Sequence, residues 1–231
     1  MQKLNRIARL APFTWVILLA ALVKFGLQLI NARGYGLFFD ELYTLDLSRH
    51  LAFGYVDLPP LVPALVALNR VLLGDSLLAM RLVPALAGAA TLVFVCLIVK
   101  EFGGRTFAVA LAALAFIVVP VWLMFNSAFT YDSIDQLILA GFLYTLVRFL
   151  RSGNRKLWIP LGLIAGLACL TKMTILFLGP GFLVALLISK YRKELLTPWP
   201  WLGAALCLVL VSPYLLWEIA KWKCLGRGNC K

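Results

Sequence analysis

Four of the chain's ten acidic residues fall in one short stretch, FFDELYTLDLSRHLAFGYVDLPPL, residues 38–61: Asp40, Glu41, Asp46 and Asp57. The same stretch holds Arg49, the chain's single histidine, His50, and the pair Pro59-Pro60. A fixed carboxylate can take the proton from an incoming hydroxyl, so this is where general-base chemistry is expected. Asp40 is the first candidate, with helix N-capping as its structural alternative. Glu41 beside it is read either as orienting the site or as binding a metal. His50 has no serine or cysteine partner near it in sequence and is read as a hydrogen-bonded structural residue before a catalyst. No His/Cys spacing suggests zinc. A hard divalent metal held by the acids stays open, and no cofactor is assigned.

The segments around this stretch are of a different kind. The chain is 63% hydrophobic and 14% charged, with a mean hydropathy of +0.94, against roughly 25% charged residues in soluble domains. It reads as an integral membrane protein. A polar, mixed-charge loop in such a chain is where function is expected, because hydrocarbon cannot host it. The net charge of +12 does not indicate a nucleic-acid partner. The basic residues sit in short clusters between apolar runs, as the positive-inside rule describes. Cys96, Cys169 and Cys207 lie in apolar segments and read as buried small hydrophobes.

Loop charge also sets the expected topology. Lys3, Arg6 and Arg9 place the N-terminus in the cytoplasm, ahead of a first span at 11–30 that is too long for a signal-peptide core. Lys24, inside that span, reads as snorkelling to the interface or as a cavity-facing cation. Residues 58–74 are apolar but carry three prolines, Asn69 and Arg70. Counted as interfacial, they leave Lys100, Arg105, Arg148, Arg151, Arg155, Lys156, Lys190, Arg192 and Lys193 on one side, as the rule prefers. Seven spans follow: 11–30, 82–99, 107–125, 134–147, 157–170, 175–189 and 201–217. Asp40, Glu41, Asp46, Asp57, Asp75, Asp132 and Asp135 then share the outer face, although acids contribute little to orientation.

Within the first outer loop, 31–81, two helices at the interface are expected, 41–53 and 60–73, joined by an extended 54–59. Tyr43, Leu47 and Leu51 form an apolar stripe at four-residue spacing, and Asp46 and His50 meet on another face. Asp40 opens the first helix. Proline restricts the residue before it, so the Leu58-Pro59-Pro60 string breaks the run.

These residues carry a resemblance. Asp40-Glu41-Leu-Tyr43, Arg49-His50-Leu and Gly54-Tyr55-Val-Asp57-x-Pro59-Pro60-Leu resemble the first outer loop of bacterial GT-C glycosyltransferases. The group is family 39, protein mannosyltransferase-like, which includes the aminoarabinose transferases. The resemblance continues through Arg81-Leu-Val-Pro, Tyr131-Asp132, Gly166-Leu-Ala-x-Leu-Thr171-Lys172 and Ser212-Pro213-Tyr-Leu-Leu-Trp217, and covers about residues 13–218. It implies an all-α, polytopic transmembrane bundle of GT-C type in a bacterial inner membrane. It also implies inverting transfer of a sugar from a polyprenyl-phosphate carrier to an acceptor hydroxyl at the periplasmic face. Asp40 is then the candidate base and Asp132 a second site carboxylate, with Tyr43, His50 and Asp57 in the substrate site. The leaving phosphate needs stabilising as its charge develops. Arg49, Arg81 and Lys172 are the outer-side cations available for that, unless Arg81 and Lys172 merely anchor span ends. N-capping is the structural alternative for Asp132 and Asp135.

The end departs from the family pattern. Residues 219–231, IAKWKCLGRGNCK, put four cations outside, where the family continues with further spans, so the resemblance implies a chain cut short. Cys224 and Cys230 would pair there in an oxidising compartment. The alternative function is a non-enzymatic multipass protein, a transporter or a degenerate relative. A transporter places its polar residues near mid-bilayer, often at broken helices.

Overall fold

The computed structural model describes residues 2–32, 34 and 36–226, with side chains described from Phe13 to Trp222. Cys230 and the side chain of Cys224 lie outside the described residues, and with them the expected pairing. Among the described residues ten α-helices follow in order: α1 Gln2–Asn31, α2 Phe39–Leu47, α3 Leu61–Leu73, α4 Leu77–Glu101, α5 Thr106–Val118, α6 Pro120–Phe125, α7 Tyr131–Ser152, α8 Trp158–Thr171, α9 Thr174–Ile188 and α10 Pro198–Gly226. Short 3-10 segments at Arg155–Leu157 and Lys190–Leu196 join α7 to α8 and α9 to α10. Among the described residues there is no strand, and the molecule is an all-α polytopic bundle.

Among the described residues four helices are long and apolar enough to cross a bilayer alone: α1 from Phe13, α4, α7, and α10 to Trp222. Counting α9 with the 3-10 segment after it, at a bend of 100°, gives five. The remaining expected spans are shorter, 13 residues in α5 and 14 in α8, against the roughly 20 a bilayer asks for. The expected 107–125 span is broken. Val119 turns extended and Pro120 opens a separate helix, α6, because proline has no N–H to continue the ladder of α5.

That break explains Lys24, which neither snorkels nor faces a cavity. It is fully buried and donates to the carbonyl oxygen of Trp122 (3.1 Å), while Gln28, one turn on, donates to that of Leu123 (3.1 Å). Carbonyls at a helix end are short of partners within the helix; Gln28 supplies a donor to that of Leu123, and Lys24 adds a second to that of Trp122, which also accepts from the Asn126 N–H (3.4 Å).

Packing comes in three clusters. Phe13, Ile17, Leu92, Val109 and Phe116 join α1, α4 and α5. Val62, Val66, Met80, Phe129 and Ile134 join α3, α4 and α7 beneath the first loop. Phe149, Trp158, Leu161 and Leu186 join α7, α8 and α9. Helices α8 and α10 meet backbone to backbone. A Cβ at Gly162 would lie 2.0 Å from the carbonyl oxygen of Gly203, the close approach that small residues permit between membrane helices.

The first loop folds as two helices with a non-helical link, and α3 begins at Leu61 as the prolines require. The first helix differs from expectation: it runs 39–47 and not 41–53. Tyr55 ends it, its hydroxyl donating towards the carbonyl oxygens of Leu47 (3.1 Å) and His50 (3.3 Å). Leu51 therefore leaves the apolar stripe, and Asp46 and His50 do not share a helical face. Gly54 lies so close to α10 that a Cβ there would come within 2.7 Å of the Trp217 ring. The loop is thus seated on the bundle.

Candidate functional site

The two neighbouring acids of the first loop separate completely. The N-cap of α2 is Phe38, not Asp40. Glu41, on the first turn, reaches back, its Oε2 accepting from the Phe38 backbone N–H at 2.9 Å. Its Oε1 accepts from the Phe129 backbone N–H (2.8 Å) and from the Arg81 guanidinium. Arg81 also donates to the carbonyl oxygen of Gly36 (2.8 Å). Glu41 is wholly buried and Arg81 nearly so. Three donors from three parts of the chain thus converge on one carboxylate, pinning the start of α2 to α4 and to the segment before α7. A buried charge is tolerated when it is paired and hydrogen-bonded, and this one is.

Asp40, one residue earlier, points away and is exposed. It borders two cavities of about 540 Å³ each, and so do Asp132 and Thr130. The first cavity is walled mainly by apolar groups of the 36–38 segment and α6, including Leu37, Phe38, Leu123 and Phe125, with Gln28, Asn31 and Arg81 at its edge. The second is more polar, with Tyr43, Thr44, Asp57, Tyr131 and Lys172. Asp132 opens α7, and its Oδ1 accepts from Lys172 Nζ at 2.6 Å. Lys172 stands just past the end of α8, so the turn between α8 and α9 delivers a cation to the acid that opens α7.

Tyr43 donates to Asp57 Oδ1 at 2.8 Å, joining α2 to the link before α3. That hydrogen bond, then burial and the negative charges of Asp57 and Asp46, hold its phenol above the ordinary value. Tyr43 therefore stays protonated and acts as a donor or a wall. Thr44 anchors Asp40 from below, its hydroxyl donating to the Asp40 carbonyl oxygen at 2.7 Å.

Asp40, Asp132, Lys172, Tyr43, Asp57 and Arg81 therefore border one continuous region. Arg49 and His50 do not. They are exposed in the turn after α2 and line neither cavity, and Arg49 instead adds its charge to the surroundings of Asp75. Sequence reasoning missed Thr130, which borders both cavities, and Gln28. The second had a signal: a polar residue four positions from Lys24 on one face of an apolar helix. Among the described residues no three His, Cys, Asp or Glu side chains gather as a metal cage.

The all-α bundle thus carries carboxylates and a lysine around two cavities that share Asp40, Thr130 and Asp132. The chain belongs to the dolichyl-phosphate-mannose-protein mannosyltransferase family, a sequence profile of which matches residues 57–217, well over half of the chain. The family is one of glycosyltransferases. Arg81, Asp132 and Lys172 lie inside the matched region, whereas Asp40, Glu41, Tyr43, Arg49 and His50 precede it. Comparison with curated proteins and with solved structures returns no match.

Proposed function

We propose that the chain transfers a sugar from a polyprenyl-phosphate carrier to an acceptor hydroxyl at the outer membrane face, with inversion and with Asp40 as general base. The carrying observation is that Asp40 and Asp132 stand between two cavities, so that a group in one can react with a group in the other. The polar cavity takes the sugar phosphate, with the phosphate at Lys172. The apolar-walled cavity brings the acceptor hydroxyl to Asp40. The acceptor O–H proton passes to the Asp40 carboxylate as the oxygen bonds to the anomeric carbon. The bond from that carbon to the phosphate oxygen breaks, and the carrier phosphate leaves with the electron pair. Lys172 offsets the charge that develops on it, and Asp132 holds the ammonium in place meanwhile.

Seven spans, with α5 and α6 counted together as one broken span and the short α8 and α9 as one each, the N-terminus inside and a bacterial inner-membrane location belong to the same proposal. They are supported by the gathering of Arg148, Arg151, Lys156, Lys190 and Arg192 at the end of the bundle away from Asp40. The transporter reading would draw on the broken helix α5–α6 and the buried Lys24. Lys24 and Gln28, however, each donate to an α6 carbonyl, and Asp40 and Asp132 border cavities at the start of α7 and not along its middle.

The test is release of polyprenyl phosphate from polyprenyl-phosphate mannose by the purified protein in vesicles. Asp40→Asn keeps the side-chain shape and is expected to lower the rate about 10²–10⁴-fold with unchanged unfolding. Transfer near the wild-type rate by Asp40→Asn would remove Asp40 as the base.

A further inference from the structure

A further cavity lies among α7, α8, α9 and α10, reaches towards the other end of the bundle, and has no part in the chemistry proposed above. α7 starts at Asp132's neighbour Tyr131 and runs 22 residues to Ser152, so its far end is about 30 Å from the acids at 1.5 Å per residue. Between that end and the middle of the bundle, from Trp158 at the start of α8 to Phe142 midway along α7 and Ile175 near the start of α9, the helices α7, α8, α9 and α10 enclose a cavity of about 230 Å³. Its walls are apolar throughout, with Trp158, Leu161 and Ala165 from α8 facing Leu178, Gly179 and Phe182 from α9. Leu178 and Gly179 are exposed, so the cavity opens on the bilayer side. A Cβ at Gly179 would meet nothing within 4 Å.

The polypeptide around Trp158 is strongly basic. Arg148 and Arg151 end α7, Arg155 and Lys156 immediately precede Trp158, and Lys190, Arg192 and Lys193 follow α9, all seven exposed. One acid is among them, Glu194, and Arg155 takes it (3.2 Å). The cluster is held together. The Tyr191 hydroxyl donates to the Leu150 carbonyl oxygen (2.7 Å), and the rings of Tyr191 and Trp158 both pack on Phe149 at 5.6 and 5.2 Å. The 3-10 segment Lys190–Leu196 bends 100° from α9, turning its cations across the bundle end.

The positive-inside tendency accounts for cations at this end but not for an apolar cavity whose Trp158 wall stands beside them. Basic pockets between membrane helices bind anionic lipid headgroups. We infer that this end of the bundle is a binding site for an anionic glycerophospholipid, whose headgroup lies on Lys156, Arg192 and Lys193 and one of whose acyl chains enters the cavity between α8 and α9. The cavity volume suits part of one chain. A long polyprenyl tail would need far more room, so the occupant is a membrane phospholipid and not a sugar carrier.

The test uses the purified full chain in detergent, titrated with phosphatidylglycerol or phosphatidylcholine and read by native mass spectrometry. Wild type is expected to bind phosphatidylglycerol the more tightly, by about fivefold for each basic side chain engaged. The triple variant Lys156→Gln, Arg192→Gln, Lys193→Gln is expected to erase that preference. Gly179→Leu is expected to weaken both lipids by filling the cavity. Leu178→Trp is a second filling variant, read if Gly179→Leu does not fold. Equal binding of the two lipids by wild type overturns the proposal, as does undiminished binding by the folded filling variant. Tighter retention of polyprenyl phosphate than of phosphatidylglycerol overturns it too. None of these outcomes depends on Asp40, so the transfer proposal stands or falls separately.

Discussion

Two ion pairs support the same site and differ in almost everything else. Glu41 and Arg81 have side chains 0% and 5% exposed, and every oxygen of the acid has a protein donor. Asp132 and Lys172 have side chains 34% and 45% exposed, meet through a single hydrogen bond, and border a cavity. A pair sealed from water cannot change partners without leaving a bare charge. A pair at a cavity wall can, because water or a phosphate takes over from either member. The first pair therefore holds the turn that carries Asp40, and under the proposed function the second is the pair a phosphate can reach. The Asp-Glu motif thus contains two unlike residues, a buried clamp and an exposed acid.

The largest effect expected comes from breaking the buried pair. Arg81→Ala leaves Glu41 charged and buried, and removing one partner of such a pair costs about 3–5 kcal/mol. Chemical unfolding in detergent micelles checks this, and transfer should fall with it as α2 loosens. Glu41→Gln keeps two of the acceptor contacts and should cost less than Arg81→Ala. A stable, active Arg81→Ala would mean that the clamp does not position Asp40.

Lys172→Gln probes the other pair and should invert the pattern. Exposed pairs contribute about 0–1 kcal/mol, so unfolding should barely move. The rate of carrier release should fall about 10²-fold, the scale of losing one charge-stabilising donor. The loss should appear in kcat as well as in KM, since the phosphate's charge grows towards the transition state.

Much of this contrast was legible in the sequence and part of it was not. Apolar runs, loop charge and proline placement gave the bundle, α3, and the α8–α9 turn at Thr171-Lys172. Asp40 and Asp132 stood out as acids beside apolar segments. Which of Asp40 and Glu41 would be buried could not be read from their adjacency, because the answer depends on Arg81 and Phe129, 40 and 88 positions away. The early end of α2 was hidden for a similar reason. Its apolar spacing continues to Leu51, but the hydroxyl of Tyr55 takes the terminal carbonyl. The break at Pro120 had a signal in the proline itself. Lys24 showed only as a charge in an apolar run, and its partners became visible once α6 was in place.

A third pair supplies the reference against which burial can be judged, and it should show the smallest effect. Arg70 at the end of α3 grips Asp75 through Nε–Oδ1 (2.6 Å) and Nη2–Oδ2 (3.2 Å), and its other nitrogen donates to Ser48 Oγ (3.2 Å). The geometry is bidentate, better than that of Asp132 with Lys172, yet Asp75 is 57% exposed. The Arg70 hydrogen bonds hold the Asp75 carboxyl below its ordinary value. A group whose folded-state pKa is depressed contributes stability that is present above its unfolded value, about 3.9. That contribution is lost as pH falls through the folded value. Asp75→Asn should therefore leave unfolding near neutral pH almost unchanged and slightly flatten its acid dependence below about pH 4, measured as melting temperature against pH. If burial separates the clamp from the other pairs, Arg70→Ala should resemble Lys172→Gln in unfolding and leave transfer intact. If Arg70→Ala instead destabilises as much as Arg81→Ala, hydrogen-bond geometry and not burial sets the strength of these pairs. The division of labour between Glu41 and Asp132 would then need another cause.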